Sequence, residues 1–239
     1  MWTWSRLSTD CPWRKARRTS EGNASLCTRT RTIEIMDVLG IFATPIAKYD
    51  ELLNEQACLQ ILKKIRMLPY YKPPYTTTSF RSEDRNVLGM FPDVKEVLEM
   101  MFLDFARSTL GVKPTCDFKI MSSWATMTVP GGESIKHSHC NSYWSGVLYL
   151  SKDTSPILFH REKRATIVLD VENITEYSSN EVAHTPSMGQ VVFFPSHLTH
   201  QVSRNRSDDD RFSIAFNILP NGLFGLHDST AHISVLELT

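Results

Sequence analysis

Long apolar runs are missing from this 239-residue chain. None approaches the ~20 consecutive apolar residues that a bilayer-spanning helix needs, so a helical membrane protein is excluded. Paired cysteines are missing too. Cys11, Cys27, Cys58, Cys116 and Cys140 form no CxxC array, and an odd, scattered set argues against a disulfide framework and for a reducing compartment. Charge of one sign is also lacking, since 26 Lys+Arg balance 26 Asp+Glu. No uniform field therefore points to an anionic membrane or to extended nucleic-acid binding. Repeats and low-complexity tracts are absent. What remains, 41% hydrophobic and 22% charged, is the composition of an ordinary globular protein with a substantial core. The expectation is a soluble, intracellular, cytoplasmic protein of one large domain, with or without a small satellite.

The N-terminus stands apart. Residues 1–35 carry seven Lys/Arg against Asp10, Glu21 and Glu34, a charge of 7 − 3 = +4. They contain no apolar h-region, so they are no secretory signal. An Arg- and Ser/Thr-rich, acid-poor segment fits either an organelle transit peptide or a disordered extension upstream of Met36 in "MDVLGIFATPI", and the extension is the simpler reading. The domain boundaries expected are thus 1–35 for the extension and 36–239 for the folded part.

That folded part opens on a β-rich run, "VLGIFATPIAKY". In "NEQACLQILKKIRML", Cys58, Ile61/Leu62, Ile65 and Leu68 recur at helical spacing. "YYKPPYTTTSFRSEDRN" breaks the helix with its prolines and β-branched threonines, and reads either as a lid over a cavity or as a surface crossover. A second helix after Pro92-Asp93 carries the stripe Val94, Val97/Leu98, Met101/Phe102 and Phe105, closed by Gly111. Met100, Met101 and the phenylalanines here are expected in the core. From about Asp117 the period changes to two. "FKIMSSWATMTV", "WSGVLYL", "SPILFH", "ATIVLDV", "QVVFFP", "HQVSRN" and "RFSIAFNIL" are short strands between Gly, Pro, Asn and Asp breaks. A mainly β fold follows, a jelly roll with the N-terminal helices packed on one outer face.

The residues that invite chemistry are "HSHCNSYWSGVLYL" and two later motifs. In an extended chain His137 and His139 project to one side, with Ser138 opposed. Imidazole is the commonest neutral metal ligand and suits iron, zinc, copper and nickel. Asn141 is in phase with both and is an alternative oxygen ligand, whereas Cys140 is out of phase. "GQVVFFPSHLTHQVSRN" supplies His200 at the start of a strand, 61 residues beyond His139, far enough for several strands to intervene. His197, on the turn, reads as solvated. In "RFSIAFNI", Arg211, Ser213, Ala215 and Asn217 share one face, and Phe212, Ile214, Phe216 and Ile218 the other. A guanidinium in an otherwise apolar strand needs an anionic partner, either an acid from elsewhere in the fold or a bound small-molecule carboxylate.

Taken in order, His-x-His, "NS..SGVLYL", "FFPS.L.H.V" and "R.SIAFN" resemble the 2-oxoglutarate/iron(II) oxygenase family widespread in bacteria and phages. The resemblance runs from about Gly40 to Gly222 and is sharp over Trp124–Leu150 and Val191–Asn217. It implies a double-stranded β-helix and Fe(II), 2-oxoglutarate and O2 as cofactors and co-substrate. The implied activity is hydroxylation of an unidentified small molecule or peptide, with release of succinate and CO2. Residue by residue, His137 and His200 fall on the two histidine ligands, and Arg211 and Ser213 on the Arg-x-Ser pair that binds the distal carboxylate of 2-oxoglutarate. Tyr149 falls on a tyrosine that binds the same carboxylate, although a core aromatic is an equal reading. Trp124 matches an aromatic packing position. The wider superfamily has His-x-Asp where this chain has His137-x-His139, so a third imidazole replaces the carboxylate of the facial triad. Two other readings stay open: a three-histidine iron dioxygenase that does not use 2-oxoglutarate, and a metal-free jelly-roll binding or scaffold protein. Oligomeric state is not legible.

Overall fold

The computed structural model describes residues 43–74, 78–152, 155–162, 170–225 and 227–235. The N-terminal extension and most of the "ATIVLDV" run lie outside them. In chain order the elements are β1 (Ala47–Tyr49), α1 (Glu55–Ile65), β2 (Tyr70–Tyr71), β3 (Ser79–Ser82), α2 (Pro92–Ser108), β4 (Cys116–Thr128) and β5 (Trp144–Tyr149). Then follow β6 (Ile157–His160), β7 (Glu181–His184), β8 (Val191–Pro195), β9 (His200–Val202), β10 (Arg211–Phe224) and β11 (Ala231–Ile233).

Each helix starts and stops where local chemistry dictates. The side chain of Asn54 accepts a hydrogen bond from the Ala57 amide and so caps α1, whose last turn carries Lys63 and Lys64. Pro92 sits in the first turn of α2, where its missing N–H costs nothing. Gly111, at φ 68°, takes the left-handed conformation just past the end of α2. The apolar stripes are those of the sequence, with one correction. Met100 is 57% exposed, because one residue of offset turns it about 100° away from half-buried Met101.

The described strands form two antiparallel sheets. The larger runs β1-β8-β5-β10-β4-β3-β2, with β11 against β10, and the smaller runs β7-β6-β9. Period-two alternation divides the faces of the large sheet. Phe212, Ile214, Phe216 and Ile218 share a core with Leu98, Phe102 and Phe105 of α2 and with Ile61 and Ile65 of α1. Phe102 lies 5.0 Å from the Phe118 ring, 5.5 Å from Trp144 and 5.6 Å from Phe193, which seats α2 on the outer face. Gly146 permits that packing, since a Cβ there would sit 2.3 Å from Phe216. On the opposite face Tyr149, Val192 and Phe194 meet Ile157, Phe159 and Leu198, joining the large sheet to the small one.

The stretch "YYKPPYTTTSFRSEDRN" contains two short strands. Tyr70–Tyr71 pairs with Ser79–Ser82, which in turn pairs with β4, so β2 and β3 extend the large sheet beyond β4. This places Ser79 and Arg81 on the wall between the two sheets.

Candidate active site

Three imidazoles meet between the sheets. The backbone of His137 exchanges two hydrogen bonds of 2.9 Å with that of His200, an isolated antiparallel bridge that sets the two side chains beside each other. Two residues on, the His139 amide bonds the Ser196 carbonyl at 2.8 Å. Ring centroids are 4.4 Å apart for His137–His200, 5.1 Å for His139–His200 and 5.3 Å for His137–His139. One nitrogen from each ring lies within 4.8 Å of the other two.

The rings' outer nitrogens fix their orientation. Nδ1 of His137 is 2.8 Å from the Ile135 carbonyl, and Nδ1 of His200 is 2.8 Å from the Leu198 carbonyl. Nδ1 of His139 is 2.9 Å from Oδ1 of Asn217. All three partners accept, so each Nδ1 donates and each Nε2 keeps its lone pair for the interior. Burial lowers all three pKa values. For His139, at about 4, the His137 ring adds to the effect, and for His200, at about 3, it does likewise. Neutral imidazoles with inward lone pairs suit a borderline divalent metal such as Fe(II).

Asn217 shared a face with Arg211 in the sequence, but nothing there assigned it a task. Its Oδ1 also accepts from the Ser145 hydroxyl at 2.9 Å, and Ser145 and Ser142 both bond Ser196. A closed hydroxyl–amide network thus holds the residue behind the third imidazole. Asn217→Ala is expected to weaken metal affinity by about 10–100-fold, the usual cost of losing a ligand's outer hydrogen bond. Isothermal titration of the apoprotein with Mn(II) checks this, and an unchanged affinity would show that packing alone orients His139.

Asn141 does not join the group. It is exposed at φ 58°, and this left-handed turn takes it out of phase with His137 and His139. Cys140 and His197 are exposed as well.

The cavity beside the histidines ends in a second polar group. Arg211, 6% exposed, faces Thr128 across the β4–β10 ladder, and its Nη2 lies 3.4 Å from the Thr128 hydroxyl. Ser213 pairs with Tyr149 across the β5–β10 ladder, so their side chains share a face, and all three residues line the cavity. The Tyr149 hydroxyl is buried and has no hydrogen-bond partner among the described residues. Burial pushes its pKa far up, partly opposed by Arg211. A buried hydroxyl left unsatisfied costs about 1–3 kcal/mol. A carboxylate against Arg211 would relieve that cost.

Residues 122–217 match the family model described as "Putative 2OG-Fe(II) oxygenase". Residues 122–217 belong to this family. The family so described is one of oxygenases that use Fe(II) and 2-oxoglutarate, and the matched segment contains His137, His139, His200, Tyr149, Arg211 and Ser213. A comparison with curated proteins gives no match. Solved structures show the same fold. A 2OG-Fe(II) oxygenase-family oxidoreductase from Burkholderia pseudomallei superposes with TM-score 0.50 at 13% identity, over 72% of this chain and 83% of that one. A prolyl-4-hydroxylase from Pseudomonas putida gives 0.50 at 14%, over 73% and 92%. HygX from Streptomyces hygroscopicus, with nickel, 2-oxoglutarate and hygromycin B bound, gives 0.50 at 13%, over 73% and 82%. The fold of the chain is accordingly the double-stranded β-helix. No helix among its described residues is long and apolar enough to cross a membrane.

The depressed histidines make the apoprotein acid-labile. Their folded pKa values lie below the unfolded 6.5, so between about pH 6.5 and 3 the unfolded chain binds more protons. Stability present above pH 6.5 is therefore lost as pH falls. Urea melts of metal-free protein at stepped pH are expected to show midpoints that drop across this window. In His200→Leu the drop is smaller.

Proposed function

We propose that His137, His139 and His200 hold Fe(II) through Nε2. Arg211, Ser213 and Tyr149 hold the distal carboxylate of 2-oxoglutarate, and the protein hydroxylates a C–H bond of a small molecule or peptide. The observation that carries this reading is the pairing of two sites in one cavity: three convergent neutral imidazoles, and a buried guanidinium beside a tyrosine hydroxyl that has no partner among the described residues.

When bound, Fe(II) and 2-oxoglutarate supply the oxidation, in which O2 and 2-oxoglutarate become succinate and CO2 as one substrate C–H becomes C–OH. The chain supplies everything else. Its Nδ1 donors keep three lone pairs aimed at one point. Arg211 gives a forked donor whose planar geometry matches a carboxylate, and Ser213 and Tyr149 add hydroxyl donors. Val147, Phe194 and Phe159 keep this wall dry, which strengthens those contacts. Three neutral imidazoles leave the metal at +2, and dianionic 2-oxoglutarate brings the inner set to neutral, so a histidine in place of the carboxylate costs no binding.

The domain assigned to this activity is 36–239, around the matched 122–217. An intracellular, cytoplasmic setting is supported by cysteine usage, with Cys58, Cys116 and Cys140 free.

The test is succinate formation coupled to O2 uptake by anaerobically reconstituted protein. Succinate made only with Fe(II) and 2-oxoglutarate together is expected. O2 uptake without succinate would instead favour a three-histidine dioxygenase, which the three imidazoles alone would allow. Absence of both, with no bound iron, would leave a binding protein.

A further inference from the structure

The end of the cavity that holds Arg211 is built around a threonine outside the Arg-x-Ser motif. Thr128, the last residue of β4, is buried and stands between two strands. It pairs with Arg211 of β10 on one side and with Ser79 of β3 on the other. Residues paired across a ladder share a face, and all three line the cavity. The Thr128 hydroxyl lies 3.4 Å from Nη2 of Arg211 and 3.0 Å from the Ser79 hydroxyl. Guanidinium, threonine and serine thus form one row across three strands.

The backbone of Thr128 is clamped from another element. Asn205, buried in the loop between β9 and β10, donates through Nδ2 to the Thr128 carbonyl at 2.9 Å and to the Asp209 carbonyl at 2.8 Å. Its Oδ1 accepts from the Ser207 amide and hydroxyl. Its own backbone accepts from the Gly131 amide at 2.8 Å and donates to the Gly132 carbonyl at 2.7 Å. A buried amide satisfied at its donors and its acceptor holds the groups it bonds in one arrangement. Here it ties the turn leading into Arg211 to the end of β4, so the arginine and its hydroxyl partner start from one fixed base.

That base matters for a forked cation. Arginine has a long, rotatable side chain, and a fork left loose has to be ordered each time a carboxylate binds. A hydroxyl orients a guanidinium without cancelling its charge, whereas an acid in the same place would compete with the ligand.

We infer that Thr128 is a positioning residue: its hydroxyl, beside Ser79 and on a backbone held by Asn205, pre-orients the Arg211 fork for the distal carboxylate of 2-oxoglutarate. This rests on the oxygenase reading and adds the residue that readies its carboxylate site.

The experiment is calorimetric titration of the full chain, first with Mn(II) in place of iron and then with 2-oxoglutarate. Thr128→Val keeps the branched shape and removes the hydroxyl. It is expected to weaken 2-oxoglutarate binding roughly fivefold, as for the ordering of one long side chain on binding, with Mn(II) affinity unchanged. Thr128→Ser restores most of the loss. In Arg211→Lys, a point charge with no fork to orient, adding Thr128→Val changes the affinity little. Thr128→Ala takes the place of Thr128→Val should the latter not fold. Wild-type protein that binds Mn(II) but not 2-oxoglutarate, or an affinity unchanged in Arg211→Gln, overturns the oxygenase reading and this inference together. With Arg211→Gln weakened as expected, four results overturn the inference alone: an unchanged affinity in Thr128→Val, a parallel loss of Mn(II), a Thr128→Ser protein as weak as Thr128→Val, or the full loss persisting in Arg211→Lys.

Discussion

His200→Ala is expected to abolish stoichiometric iron binding and to bring succinate formation to background. This ring stands at the centre of the group, within 4.4 Å of His137 and 5.1 Å of His139 between centroids, and it is only 3% exposed. Losing an outer hydrogen bond to a metal ligand already costs about 10–100-fold in affinity, and losing the ligand itself costs more. Truncation also opens a void beside Phe194, whose ring is 4.6 Å away. His200→Leu keeps apolar volume against that ring and removes only the donor, which separates ligation from packing. Metal analysis after anaerobic purification is the measurement. Full iron occupancy in a folded His200→Leu protein would remove His200 from the centre. A fall in iron with an unchanged melting temperature would support the ligand role.

The route from sequence to this site was uneven. The switch from a 3.6-residue to a two-residue period near Asp117 marked where the strands begin, because each buried face is paid for with regularly spaced apolar residues. The face assignment of β10 was legible for the same reason, since Phe212, Ile214, Phe216 and Ile218 all went to the outer core. Pairings were not legible. Nothing local says that His137 bridges His200, a contact made across 63 residues by two backbone hydrogen bonds. Asn141 illustrates the limit of periodicity, because a single positive φ cancelled its phase. Asn217 and Asn205 had no local signal either. An asparagine on a mixed strand and another in a polar loop acquire meaning only when the fold places them against His139 and Thr128. β2 and β3 were hidden by Pro73 and Pro74 between them, although the residues on either side pair as a sheet edge.

The other large effect concerns the end of the cavity away from the histidines, where two substitutions are expected to separate ligand binding from fold stability. Arg211→Gln removes the forked cation from a buried wall while keeping an amide near Thr128. Truncating one partner of a buried, hydrogen-bonded charge pair costs about 2–5 kcal/mol, so the KM for 2-oxoglutarate should rise roughly thirtyfold to several thousandfold. Tyr149→Phe moves two quantities in opposite directions. Without ligand it deletes a buried hydroxyl that has no partner among the described residues, so the apoprotein should be no less stable and is expected to gain up to about 1–3 kcal/mol. With 2-oxoglutarate it removes a donor to a charged acceptor, worth about 1.5–3 kcal/mol, and binding weakens by roughly ten- to a hundredfold. Chemical denaturation of the apoprotein and titration of the Mn(II)-loaded protein with 2-oxoglutarate read the two effects separately. A Tyr149→Phe protein that loses stability and binds 2-oxoglutarate normally would make Tyr149 a core aromatic, and would move the carboxylate away from Arg211 and Ser213.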